Sequence, residues 1–225
     1  MKLEPDKLYD VIKQALIEEL SGSKNHTARP NSVPVGVSAR HVHLCQADVE
    51  ALFGNGYQLT KHRDILQPGQ YASNEKVTIQ GPKGEIANVR ILGPTRLHSQ
   101  VEISRTDGRK IGAHPPVRRS GDIAGSAPIT LIGPKGKVVL TEGCIIAERH
   151  IHMSNQDAAA FSVTDGQLVA VKVTGVKGGV MGNVSVRVSD KYTLEMHIDT
   201  DDANAFGLSD GEYVEVIPAA SIGGL

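Results

Sequence analysis

Four histidines carry the clearest chemical signal in this 225-residue chain. His41 and His43 stand in the stretch VSARHVHL (37–44), and His150 and His152 stand in IAERHIHM (146–153). Each copy reads Arg-His-β-branched-His followed by an apolar residue, and the second copy lies 109 positions beyond the first (150 − 41 and 152 − 43). In a strand the side chains alternate faces, so residues i and i+2 point the same way. His41 and His43 can therefore reach one metal ion, as can His150 and His152, while the residue between each pair faces a core. Imidazole is a good zinc ligand. One such pair reads more readily as two polar strand residues facing solvent; two pairs in matching contexts favour metal binding.

Further ligands must complete each shell. His197, in TLEMHID (193–199), is the best third imidazole. Glu102, in QVEIS (100–104), alternates with Val101 and Ile103, although a lone strand carboxylate is more often merely solvated. Cys45 would share a face with His41 and His43 if their strand continued, and could then offer a thiolate. Cys144 lies too far from His150 for that argument and reads as a small core residue. His26, His62, His98 and His114 occur singly in loop-like contexts and read as surface histidines.

The elements that must hold these residues are mostly short strands. From Val33 onward, segments such as KVTIQG, NVRIL, ITLIG, KVVLTEG, LVAVKVTG and YVEVIP are rich in β-branched residues and separated by Gly, Pro, Asn and Asp. GPKG occurs at 81–84 and again at 133–136, each time after a strand, as a hairpin turn would. QADVEALF (46–53) and NQDAAAF (155–161) are short helical candidates, one after each histidine pair. So many short strands predict a mainly β fold of barrels or sandwiches. Ahead of them, Leu8, Val11, Ile12, Ala15, Leu16 and Leu20 recur at helical spacing, predicting an amphipathic helix within residues 1–20. Residues 21–32 are polar and read as a linker.

Composition narrows the function classes. The 24 Lys+Arg nearly balance 25 Asp+Glu, which suggests neither a nucleic-acid nor a membrane partner. No apolar run approaches the ~20 residues of a membrane span, and no signal peptide is visible. Two cysteines make a disulfide framework improbable and a cytoplasmic setting the default.

The motifs SARHVHL, LQPGQYAS, NVRILGP, SQVEISRTD, VRRSGD, AERHIHMS and LEMHIDTDDAN resemble, in order, those of the PduL-type phosphate propanoyltransferases, from about Val33 to Val216. That resemblance implies two small β-barrels with short flanking helices. One is discontinuous, built from residues 33–44 and 145–217; the other comprises 45–144. It implies two zinc ions per chain, one on His41, His43 and Glu102 and one on His150, His152 and His197. It makes Arg96 the phosphate-holding residue and places Ser38, Arg63, Arg90, Leu92 and Asn204 along a coenzyme A site. The implied reaction is reversible: acyl-CoA (propanoyl-CoA or acetyl-CoA) and phosphate give acyl phosphate and CoA, with no covalent enzyme intermediate. Family members of bacterial microcompartments carry a similar N-terminal extension, so the helix suits docking onto a shell protein. Two rivals use the same ligands: a di-zinc hydrolase, which needs no CoA pocket, and a non-enzymatic microcompartment component with structural zinc. Structural sites usually have four protein ligands, and only three are legible for each metal here. The oligomeric state is left open.

Overall fold

The computed structural model describes residues 31–217. The helix expected within residues 1–20 and nearly all of the 21–32 linker lie outside them. Among the described residues, twelve of fourteen strands form two closed six-stranded barrels, flanked by two short outer strands and four short helices.

The first barrel takes its strands from both ends of the described chain. Its ring runs β1 (Ser32–Ser38), β13 (Glu195–Asp199), β10 (His150–Met153), β12 (Gly179–Val188), β11 (Leu168–Val173) and β14 (Tyr213–Ile217). Its interior is aliphatic, with Val33, Val35, Ile151, Met153, Val171, Val184, Val186 and Met196 among its buried side chains.

The second ring follows from strand pairings. β4 (Tyr71–Gln80) pairs with β5 (Glu85–Gly93), β5 with β2 (His41–His43), β2 with β6 (Gln100–Glu102), β6 with β9 (Lys137–Ala147), β9 with β8 (Ala127–Ile132), and β8 returns to β4. The short strands β3 (Lys61–Asp64) and β7 (Val117–Arg118) attach outside this ring, to β4 and β9. Val42, Leu44, Val77, Ile79, Ile91, Val101 and Leu131 are buried in its core.

The chain passes from one barrel to the other at Ala39-Arg40 and again at Glu148-Arg149. The family resemblance implies that residues 33–44 belong to the first barrel, but His41–His43 pair with β5 and β6 of the second. Likewise Cys144 and Ile145 pair with β6, so β9 belongs to the second barrel as far as Ala147. The reason lies in backbone hydrogen bonding: a three-residue strand joins whichever sheet offers it ladder partners, and both partners of β2 lie far along the sequence.

A helix follows each strand that bears a candidate ligand. These are α1 (Gln46–Phe53) after β2, α2 (Arg105–Ile111) after β6, α3 (Asn155–Phe161) after β10 and α4 (Thr200–Phe206) after β13. Ser104, Ser154 and Asp199 cap α2, α3 and α4 by accepting backbone N–H bonds. The GPKG segments are hairpin turns, closed by Gly81 N–H to Gly84 O (2.9 Å) and Gly133 N–H to Gly136 O (2.9 Å). Each turn also serves a helix end: Lys83 N–H donates to Ile111 O of α2 (2.8 Å) and Lys135 N–H to Leu52 O of α1 (3.0 Å). Contact is so close that a Cβ on Gly81 would stand 2.5 Å from Ile111 O, and one on Gly133 2.6 Å from Leu52 O.

Candidate metal centres and the cleft between them

β2 is too short to bury much, yet Val42 is fully buried while His41 and His43 share the opposite face. β6 runs antiparallel to β2 and sets Glu102 directly opposite His41. Glu102 Oε2 lies 3.5 Å from His41 Nε2, and Glu102 Oε1 lies 3.8 Å from His43 Nε2. His41 Nδ1 contacts Ala39 O at 2.9 Å, and His43 Nδ1 contacts Leu92 O at 3.3 Å. A carbonyl only accepts, so each Nδ1 must carry the proton, which leaves the Nε2 lone pairs facing the carboxylate.

The first barrel repeats this plan. Ile151 is fully buried between His150 and His152, and β13 runs antiparallel to β10 with His197 directly opposite His150. His150 Nδ1 contacts Glu148 O at 2.8 Å, as His41 does Ala39 O. The three rings stand 4.7–4.9 Å apart between centroids. The third donor of the second triad lies 95 positions beyond its counterpart (197 − 102), and so do the helix and cap that follow it: Asp199 replaces Ser104 and α4 replaces α2. Arg40 Nε donates to Asp107 (2.8 Å) and Arg149 Nε to Asp202 (3.1 Å), the same bond in both halves.

In each triad one potential ligand atom per residue lies within 4.8 Å of the others. The donor chemistry fits a divalent ion. His152 Nδ1 and His197 Nε2 are buried without a hydrogen-bond partner, although Glu195 Oε2 stands 2.9 Å from the latter outside bonding geometry. Such orphaned nitrogens are costly unless something accepts their lone pairs. Burial, with the neighbouring His41 and Arg96 charges, holds His43 well below the usual histidine range. Burial, with Arg187 and His197, does the same to His150, and burial with His197 and Arg187 lowers His152 to about 3. These imidazoles are thus neutral and ready to ligate. Burial works against charge on His41 and Glu102 as well, but their mutual attraction outweighs it, raising His41 and pressing Glu102 well below the carboxylate range.

A family model for phosphate propanoyltransferase matches residues 34–209. Curated relatives of that name are 58% identical over 167 residues in Lachnoclostridium phytofermentans (74% of this chain, 78% of the relative). The figure is 53% over 186 residues in Priestia megaterium (83% and 86%) and 52% over 164 residues in Thermotoga maritima (72% and 78%). The chain belongs to the phosphate propanoyltransferase family.

In this family member both triads open onto one cleft of about 900 Å³. Arg96, Ser38, Arg63, Arg90 and Leu92 also line it. Asn204 does not: it is exposed on α4, and its carbonyl accepts a bond from Lys177 Nζ (2.6 Å). Arg63 is exposed on β3, while Arg90 Nη1 is tied to Ser73 O (2.7 Å). Cys45 is not a ligand candidate, because β2 ends at His43 and Cys45 occupies the N-cap position of α1. Cys144 is buried core, and burial pushes its thiol up to about 12. His98 and His114 are exposed, and His26 lies outside the described residues. His62, expected in a loop, is exposed on β3 at the cleft wall.

Several cleft residues escaped the sequence reading. Glu102 Oε1 accepts from Ser120 Oγ (2.7 Å) and from Gln100 Nε2 (2.5 Å). Ser120 Oγ in turn accepts from Arg96 Nη1 (3.2 Å), so a chain of bonds joins the arginine to the first triad. Tyr192 stacks on His152 with centroids 4.1 Å apart. Gln67 bridges the barrels, donating to Glu195 Oε2 (3.0 Å) and Thr193 O (3.1 Å). The spacing of Gln100 to Glu102 and of Glu195 to His197 was the available signal, since i and i+2 share a strand face.

Proposed function

We propose that this chain is a phosphotransacylase that moves a propanoyl or acetyl group between coenzyme A and inorganic phosphate, reversibly, at two zinc ions. His41, His43 and Glu102 would hold one ion and His150, His152 and His197 the other. Three protein donors per ion leave positions open to substrate. Zinc in such sites supplies Lewis acidity toward a carbonyl oxygen and affinity for a thiolate.

The chain's own residues do the rest. Arg96 uses one Nη on Ser120 and retains donors for a bidentate grip on phosphate. Held there, phosphate is oriented toward a thioester carbonyl in the same cleft, and the entropy of bringing two anions together is spent in binding. Ser38, Arg63, Arg90 and Leu92 would line the coenzyme A path; Asn204 would contact only its outer portion. We take each barrel as a domain, with the crossings at Ala39-Arg40 and Glu148-Arg149 as the boundaries. Residues 1–27 would serve as an address for a microcompartment shell, and their deletion should leave turnover intact while abolishing co-assembly with shell protein. Loss of folding or turnover would refute the address.

The observation that carries this reading is that both triads and Arg96 face a single cleft. The test is release of free CoA from acetyl-, propanoyl- and butanoyl-CoA by the full chain, with and without phosphate. Phosphate-dependent release is expected. Equal release without phosphate would make the chain a thioester hydrolase.

A further inference from the structure

Arg187 lies on β12, in register with His152 of the parallel strand β10, and its side chain is only 5% exposed. Its Nη2 donates to Glu148 Oε1 (3.2 Å), while its Nε is buried without any partner. It lines the same cleft as the two triads and Arg96. A guanidinium presents five donors, and burying one against a single carboxylate with a further donor unmet costs stability. Something must offset that cost.

The internal duplication argues against a scaffold role common to both barrels. In the second barrel the parallel partner of β2 is β5, where Arg90 pairs with His41 and Ile91 with Val42. The next residue, Leu92, therefore occupies the place that Arg187 occupies beside His152. There an apolar side chain suffices, and the backbone carbonyl of Leu92 receives His43 Nδ1. A His-x-His strand thus needs no arginine at this position, so Arg187 is an addition specific to the second triad. It is also a second cation where one is useful. Arg96 stands by the first triad, near Glu102 and Tyr192, and Arg187 by the second, near Glu148 and within the field of Arg119.

We propose that Arg187 is a second phosphate-holding residue, gripping from the side of the second triad the phosphate that Arg96 grips from the first. This rests on the phosphotransacylase reading above. A tetrahedral oxyanion has acceptors enough for two guanidinium groups, and the second binds oxygens that the first fork leaves unpaired.

The test uses the metal-loaded full chain and inorganic phosphate, followed by titration calorimetry without turnover and by the phosphate KM at saturating acyl-CoA. Arg187→Gln should weaken phosphate binding roughly tenfold to a hundredfold, as expected for losing a charged hydrogen bond. The acyl-CoA KM should stay within about twofold, and both metal ions should remain bound. Arg187→Lys keeps the charge without the planar fork, so it should fall between wild type and Gln; it decides the matter should the Gln variant not fold. Phosphate binding unchanged in the Lys variant, or weakened only together with loss of metal, overturns the proposal. If wild type binds phosphate through Arg187 yet turns over without it, the assignment stands and the phosphotransacylase reading falls. If wild type binds no phosphate, both fall.

Discussion

Glu102 stands directly opposite His41 on the paired strands β6 and β2, its Oε2 3.5 Å from His41 Nε2. The same antiparallel pairing sets His197 opposite His150 in the first barrel. One geometric rule thus supplies the third donor of both triads, although the two donors differ in chemistry.

Glu102→Gln keeps the shape and removes the charge. The first triad should then lose its metal while the second keeps its own, so elemental analysis should fall from about two zinc ions per chain to about one. Turnover should drop by at least about a hundredfold, since a catalytic metal supplies several kcal/mol of charge stabilisation. Full metal content in this variant would remove Glu102 from the ligand set.

Metal-free protein should lose stability on acidification from neutral pH. His43, His150 and His152 have folded-state pKa values depressed below the unfolded ~6.5, with His152 at about 3. Their contribution is present above pH ~6.5 and is lost as pH falls toward the folded values, because the unfolded chain takes up protons that the folded chain refuses. Each such histidine gives a slope of up to about 1.4 kcal/mol per pH unit. His41, raised by Glu102 against the pull of burial, has the opposite sign: its stabilisation is full below ~6.5 and fades as pH rises. Three depressed groups outweigh one raised group. Denaturant midpoints of chelator-treated protein should therefore fall between pH 7 and 5, and a rising midpoint would contradict the assignment.

The histidine pairs were legible because a period of two and a duplication are local patterns. Glu102 was not legible on those grounds: nothing near QVEIS distinguishes a ligand from a solvated carboxylate, and only resemblance singled it out. Its relation to His197 was hidden because Glu replaces His, and Ser104 at the helix cap becomes Asp199. Arg187 was one cation among 24 Lys+Arg in an alternating strand, and its significance lies in a register with His152 that only long-range pairing creates. The barrel to which β2 belongs was misread for the same reason. Strand identity is written in propensity, but sheet membership is decided by partners distant in sequence.

Arg96→Lys should raise the phosphate KM while leaving acyl-CoA binding little changed. Lysine preserves the charge but cannot donate in parallel to two phosphate oxygens or keep the same bond to Ser120. A phosphate saturation curve identical to that of wild type would show that Arg96 does not hold phosphate.

Gln100→Leu probes the support beneath the first triad. Gln100 is 2% exposed and fully engaged: Nε2 donates to Glu102 Oε1 and to Ser120 Oγ (3.0 Å), and Oε1 accepts from Gly121 N–H (2.7 Å). Leucine fills the space and breaks all three bonds. Gly121 is exposed, so its N–H turns to water at little cost to folding. Glu102 would lose one of the two donors that orient its carboxylate, keeping only Ser120 Oγ, and loss of such outer support lowers metal affinity about 10–100-fold. Competition with a chelator should therefore strip the first triad before the second in this variant, with the second triad's affinity unchanged. Stability lost with both affinities intact would make Gln100 a core residue only.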